Sequence, residues 1–324
     1  MKKILLSITP VIDIFLIPFL IPASLIMWLT RRIGVEKIPY SRKTMLKIGV
    51  LPIIDHYYEP LINSKHLRFS LREKRNLVGI NWNIEEQLKL LNRFKYQSEL
   101  LNFSDLPTND IKEFFYLNKS FVSGDACFWY SIIRDKKPKK IIEIGSGHST
   151  RMAQAAIIKN QQENPNYNCE HICVEPYEMP WLSQMNVDLI RKKVETLDLE
   201  LFRKLESNDI LFIDSSHMIR PQGDVLFEFL EILPILKSGV IVHIHDILSP
   251  RDYLTEWITE DIRFWNEQYL LEAFLTNNKD WKIIGAVNFL KNDYFDLMKS
   301  KFPKLDINIE PGSFYIQKNS LNFE

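Results

Sequence analysis

The stretch Lys140 to Thr150, KIIEIGSGHST, decides the fold. Its first half, IIEI (141–144), is a short apolar run that reads as a buried strand. Its second half breaks that run with Gly145 and Gly147 before Ser149 and Thr150 open a helix. Glycine lets the backbone turn sharply and lets a ligand approach it closely. A strand, a glycine turn and a helix in that order begin a nucleotide-binding α/β unit.

Moving outward toward the carboxyl end, strands are expected at HICVE (171–175), DILFID (209–214) and GVIVHI (239–244), with helical stretches between them. Such alternation implies a parallel sheet covered on both faces. A long amphipathic helix is expected from about Asp252 to Leu275. Two terminal strands follow in WKIIGAVNFL and, after a Pro311-Gly312 turn, in GSFYIQK. On the amino side, a helix should run from Ser123-Gly124-Asp125 to just before Lys136-Lys137-Pro138. Another should begin near Asn83, where Asn83 and Glu86 have capping-box spacing and Leu88, Leu91 and Phe94 share a face. Between Gly34 and Leu117 there is no strand–helix alternation, and this part reads as a helical cap.

Two ligands compete for the glycine turn. A dinucleotide fold would place a third glycine or alanine at the position of Thr150, and would bring a pyrophosphate to the helix amino end. Glu143 beside the turn would repel a pyrophosphate, but suits a ligand with an ammonium and a sulfonium centre, as S-adenosylmethionine has. EIGSGHST here resembles the first motif of the class I S-adenosylmethionine-dependent methyltransferase superfamily, an acidic residue followed by a glycine-rich turn. Ser149 stands where many members keep a third glycine. The resemblance implies a doubly wound, mostly parallel seven-stranded α/β sheet of Rossmann-like form. It also implies that Glu143, Gly145, Ser146, Gly147 and Thr150 border the cofactor. Glu175, ending HICVE, matches the acid that accepts both ribose hydroxyls, a task for which a carboxylate is the right group. A dehydrogenase uses an acid at a comparable place, so Glu175 supports nucleotide binding more than it selects the cofactor.

Two further strand ends carry polar chemistry: DILFIDSSH places Asp214 and His217, and GVIVHIHDI places His243, His245 and Asp246. In an open α/β sheet such carboxyl ends lie side by side, where ligands bind. His243 lies inside its strand and reads as a core histidine, whereas His245 and Asp246 lie at the edge. IDSSH followed by VHIHDI is similar to the methyltransferase subgroup that includes cephalosporin-hydroxylase-like and sugar O-methyltransferase relatives. That resemblance implies Asp214 near the cofactor and, with Asp246, as ligand of Mg2+ or Mn2+, with His217 or His245 as a further ligand; a metal-free site is equally open. Methyl transfer needs an aligned acceptor and a group to take its proton, and histidine is suited to the latter. His217 is the first choice for base and His245 the second. His148 should lie over the cofactor's edge, and Asp224 reads as a helix-start residue. Tyr57, Tyr58 and Glu59 either line an acceptor pocket under the cap or serve as core and turn.

The amino terminus is unusual. Ile14 to Thr30 carries no charge and, as a helix, would span roughly 26 Å, borderline for crossing a membrane. Pro18 and Pro22 could break it into a bent or re-entrant insertion. Membrane contact is expected through residues 9–32; a removed signal peptide and a buried core helix are the competing readings. Arg31, Arg32, Lys37, Arg42, Lys43 and Lys47 outnumber Lys2 and Lys3, which places the rest of the chain on the cytoplasmic face of the membrane.

The chain of 324 residues balances 41 basic against 41 acidic side chains, which leaves no overall field to attract nucleic acid. Three cysteines, Cys127, Cys169 and Cys173, lack the pairing of a disulfide framework and fit a reducing compartment. The CEHIC segment around His171 reads as a buried strand in preference to a zinc cluster. The expected organisation is a membrane-associated segment at 1–37, a helical cap at 38–120 and a cofactor-binding methyltransferase domain at 121–324. The expected activity is O-methylation of a small-molecule or glycan-type hydroxyl. An NAD(P)-binding oxidoreductase and a non-catalytic, membrane-tethered cofactor-binding protein are the rivals.

Overall fold

The computed structural model describes residues 2–177 and 179–320, with side chains from residue 9 onward. The side chains of Lys2 and Lys3, the two basic residues before the apolar run, lie outside the described residues. The chain forms two compact units, one of residues 1–70 with 255–264 and the other of residues 71–254 with 265–324. The expected cap at 38–120 therefore divides after Ser70.

In the first unit, α1 (Lys2–Ile33) is one continuous helix through Pro10, Pro18 and Pro22. Each proline removes one backbone donor, and the flanking apolar residues, none of them glycine, carry the helix across. It ends at Gly34, whose φ of 98° leaves the helical region. Helix α2 (Pro39–Ile48) starts on a proline and ends at Gly49, whose N–H donates to the Met45 carbonyl at 2.9 Å. From Val50 to Ser70 the backbone is irregular apart from a short turn at Ser64–His66.

The second unit is built on seven strands: β1 (Lys140–Ile144), β2 (Glu170–Val174), β3 (Asp188–Ile190), β4 (Ile210–Ile213), β5 (Ile241–Ile244), β6 (Trp281–Ala286) and β7 (Phe314–Lys318). Their order is β3-β2-β1-β4-β5-β7-β6, with β7 antiparallel to both neighbours and the other pairs parallel. Strands β4 and β5 are buried throughout, as parallel strands covered on both faces must be. The short β3 was absent from the sequence reading, because VDLI offers only a brief apolar signal.

Helix α3 (Ile84–Arg93) buries Leu90 and Leu91, and its Gln87 accepts from the Ala286 N–H at 2.7 Å. Asn83 takes a left-handed conformation and donates to the Ile283 carbonyl, so it anchors the helix to β6 and leaves the capping box unmade. Helices α4 (Ser123–Lys136) and α5 (His148–Glu163) pack against each other and are largely buried. The helix expected over 252–275 is instead two pieces, Thr255–Thr259 and α6 (Glu267–Leu275), which belong to different units. The apolar periodicity of that stretch continues across a gap that the backbone does not follow.

Candidate active site

A cavity of about 460 Å³ opens at the carboxyl edge of β1, β2 and β4. Gly145, Ser146 and Gly147 form one wall, Glu175 a second and Asp214 a third. Gly145 has φ 77°, and a Cβ there would lie 1.9 Å from the Asp214 carbonyl oxygen, so only glycine lets β1 and β4 close the turn. The Gly147 N–H donates to Thr150 Oγ1 at 3.1 Å. Thr150 is thus a fully buried brace of the turn and does not line the cavity.

Glu175 stands at the end of β2 with its carboxylate already oriented. Oε1 accepts from the Tyr177 N–H at 2.9 Å and Oε2 from the Ser146 N–H at 3.3 Å. Phe121, Tyr177 and Val194 add apolar and aromatic surface, and His148 sits at the edge with the Phe115 ring 5.0 Å away. Burial and the Arg151 charge depress the His148 pKa to about 4.

Glu143 departs from expectation. It is fully buried, and its carboxylate lies 2.8 Å from His171 Nε2 and 3.6 Å from Cys173 Sγ on β2. Alternation along β1 turns its side chain across the sheet and away from the turn, so it does not line the cavity. Burial disfavours the charged form of His171, but Cys173 and Glu143 outweigh it and lift its pKa to about 10.

Beside the cavity, Asp214 leads into a buried acid–histidine cluster. His217 Nε2 lies 3.3 Å from Asp214 and 3.5 Å from Asp246, while His245 Nδ1 lies 3.5 Å from each of the same two carboxylates. Asp214 lines the cavity; His217, His245 and Asp246 stand behind it. Burial works against ionising Asp214, yet the His245 and His217 imidazoles hold its carboxyl below the usual range. The same carboxylates, with Glu267, keep the His217 proton on despite burial, and they do so for His245 together with Asp125. Burial raises the Asp246 carboxyl. His243 is fully buried and stacks on Tyr315 at 4.1 Å, in keeping with a core role.

Two residues that back this cluster escaped the sequence reading. Glu267 accepts from His217 Nδ1 at 2.8 Å, and Asp125 lies 3.6 Å from His245 Nε2. Each histidine therefore has a carboxylate behind it and the Asp214–Asp246 pair in front. Asp125 was visible only as a helix-start acid, and Glu267 lay within what read as the middle of a helix.

Asp214, His217 and Asp246 each offer a donor atom within 4.8 Å of the others. Two carboxylates and an imidazole suit a hard divalent ion such as Mg2+ or Mn2+. Both His245 nitrogens lack a hydrogen-bond partner among the described residues, so the cluster has unused donor capacity. Glu143, His171 and Cys173 form a second compact set, but there the three groups bond to one another.

A family profile described as a methyltransferase domain matches residues 142–247, the span from β1 to just past Asp246. An uncharacterized protein of Archaeoglobus fulgidus is 31% identical over 167 residues, which cover 48% of this chain and 74% of that protein. Among solved structures, the O-methyltransferase TomG of Streptomyces achromogenes, in complex with SAM, is 12% identical with a TM-score of 0.36, over 72% of this chain and 90% of that one. The TDP-rhamnose 3'-O-methyltransferase CalS11 of calicheamicin biosynthesis is 11% identical with a TM-score of 0.38, over 75% of this chain and 99% of that one. The profile covers the glycine turn, Glu175, Asp214, His217, His245 and Asp246 together, so residues 142–247 of this chain match a methyltransferase domain.

Proposed function

We propose that this protein transfers a methyl group from S-adenosylmethionine to a hydroxyl of a small-molecule or glycan-type acceptor, at the cytoplasmic face of a membrane. The observation that carries the reading is the contact of Asp214 with both the glycine-turn cavity and the buried pair His217 and His245. Gly145, Ser146 and Gly147 would border the cofactor's methionine end, and Glu175 would accept the ribose hydroxyls. Bound there, the cofactor supplies a methyl carbon made electrophilic by its positive sulfur.

The protein's part is alignment and proton management. As the acceptor oxygen bonds the methyl carbon, the carbon–sulfur bond breaks to leave S-adenosylhomocysteine, and the hydroxyl proton must go to a base. His217 and His245 are the candidate bases, each backed by a carboxylate; because the cluster keeps both imidazoles protonated at rest, either one must first pass its own proton to the Asp214–Asp246 pair before it takes the acceptor's. Asp214, Asp246 and His217 would hold a divalent ion, whose chemistry is to orient the acceptor hydroxyl and make it more acidic.

Membrane attachment is supported by α1: within Thr9–Ile33 its most apolar 18-residue window has a mean hydropathy of 2.2 and no buried residue. The basic residues that follow it favour a cytoplasmic catalytic unit. The two buried thiols, Cys127 and Cys173, agree with that compartment.

Titration of the full chain in detergent with S-adenosylhomocysteine and with NAD tests the cofactor. Saturable S-adenosylhomocysteine binding that Glu175→Ala weakens is the expected result. Tight NAD binding with no response to S-adenosylhomocysteine would sink the proposal.

A further inference from the structure

We infer that residues 39–69 are a second membrane contact, a basic and aromatic platform for the headgroup region of an anionic bilayer. The inference rests on the reading of α1 as the anchor and extends it beyond that helix. Among the described residues 9–70, Met45 alone is buried. Yet the stretch after α1 is rich in large apolar side chains: Tyr40 is 88% exposed, Ile48 71%, Tyr57 91% and Phe69 64%. Scattered exposed apolar residues are ordinary on a soluble surface, but a segment that exposes nearly all of them and buries one has no core of its own.

The backbone indicates at what depth such a segment is stable. From Val50 to Ile62 there is no helix or strand, so many amide groups need partners outside the segment. Hydrocarbon supplies none, whereas the hydrated headgroup layer does. Tyrosines fit that layer, with the ring on the apolar side and the hydroxyl in water.

Charge selects the lipid. Arg42, Lys43, Lys47, Lys65 and Arg68 face two acids, Asp55 and Glu59. Glu59 is offset by Arg31, which donates to it at 2.6 Å, while Asp55 accepts from the neutral Asn63 amide at 2.6 Å and keeps its charge, so five cations stand against one unpaired acid. What is left is basic, and it complements a negative leaflet. Docking this face on a second copy of itself would set like charges together. The Arg31–Glu59 pair also ties the Tyr57-Tyr58 loop to the end of α1, where an inserted helix would leave the hydrocarbon.

The test is amide hydrogen exchange on the full chain in nanodiscs of phosphatidylcholine alone or mixed with phosphatidylglycerol. Amides of residues 50–62 should exchange at least about tenfold more slowly in the anionic discs, and high salt should remove the difference. Replacing Arg42, Lys43 and Lys47 by glutamine should shrink the protection, while residues 2–33 stay protected in both discs. Equal exchange of 50–62 in the two lipids, with 2–33 protected, overturns this inference and leaves the anchor standing. Protection that ignores lipid charge and grows with protein concentration assigns the surface to a second copy and also overturns it. A chain that never enters the discs overturns the anchor and, with it, the platform.

Discussion

Glu267 has no solvent exposure, and it holds His217 from two directions: its carboxylate accepts from Nδ1, and its own N–H, with that of Asn266, donates to the His217 carbonyl. His217 has φ 59°, a conformation uncommon for a side-chain-bearing residue, and the start of α6 keeps it there. Replacing Glu267 by Gln keeps the shape and removes the charge. We expect kcat to fall about 10–100-fold while the S-adenosylhomocysteine Kd stays within about twofold, with Glu267→Asp recovering part of the rate. A Kd loss as large as the rate loss would make Glu267 a general support of the fold. His148 gives a prediction of pH dependence. Its pKa is about 4 in the folded protein against 6.5 as a free side chain, so between those values the unfolded chain binds more protons. The stability tied to neutral His148 is complete above 6.5, declines as pH falls from there, and is gone below about 4. Denaturant titrations at pH 7.5 and 4.5 should show His148→Asn losing less stability on acidification than the native chain does. Asp214, His217, His245 and Asp246 were legible in the sequence because strand ends advertise themselves. Glu267 and Asp125 were not, because their partners are set by helix starts remote in the chain. Glu143 was legible as an acid next to the turn, but nothing in its neighbours told which way the strand would point it.

Between β1 and α5 the two glycines of the turn do different work. A Cβ at Gly145 meets backbone at 1.9 Å on a φ of 77°, whereas one at Gly147 meets nothing nearer than Met179 Cε at 3.8 Å. The left-handed conformation alone costs alanine about 1–2 kcal/mol, and the clash adds to it. Gly145→Ala should therefore lower Tm by roughly 5 °C or more. Gly147→Ala should leave Tm within about 1 °C but weaken S-adenosylhomocysteine about tenfold, since its methyl intrudes where a ligand would cross the turn. Native-like binding by Gly147→Ala in calorimetry would show that the ligand does not pass there. At this scale the parallel strands were legible where an element of four or five residues held at least three apolar ones, as Ile141, Ile142 and Ile144 do in β1. Strand β3 fell short of that. The stretch from Asp252 to Leu275 failed for the opposite reason: its periodicity is real, but it is shared between two pieces that serve separate units.

At the scale of the whole molecule the chain divides its labour. The cavity-lining residues all belong to the unit of residues 71–254 and 265–324, whereas the long apolar helix belongs to the other. The apolar helix was legible because an uncharged run needs no partner to be recognised, while the boundary after Ser70 was not, because no glycine- or proline-rich linker marks it. This separation makes attachment and cofactor binding independently testable. Ile21 and Leu25 lie near the middle of Thr9–Ile33, exposed by 59% and 62%. A lysine at the centre of a membrane helix costs about 2.5–3.5 kcal/mol, so the pair Ile21→Lys and Leu25→Lys opposes insertion by about 5–7 kcal/mol. The native chain should stay with the membrane fraction through carbonate extraction, and the double variant should leave it. S-adenosylhomocysteine affinity should be the same in both, because no residue of the cavity wall is touched. Loss of that affinity together with membrane release would mean that α1 supports the catalytic unit as a core helix. A native chain that is carbonate-soluble from the outset would refute membrane attachment while leaving untouched the proposed methyl-donor site at Gly145, Glu175 and Asp214.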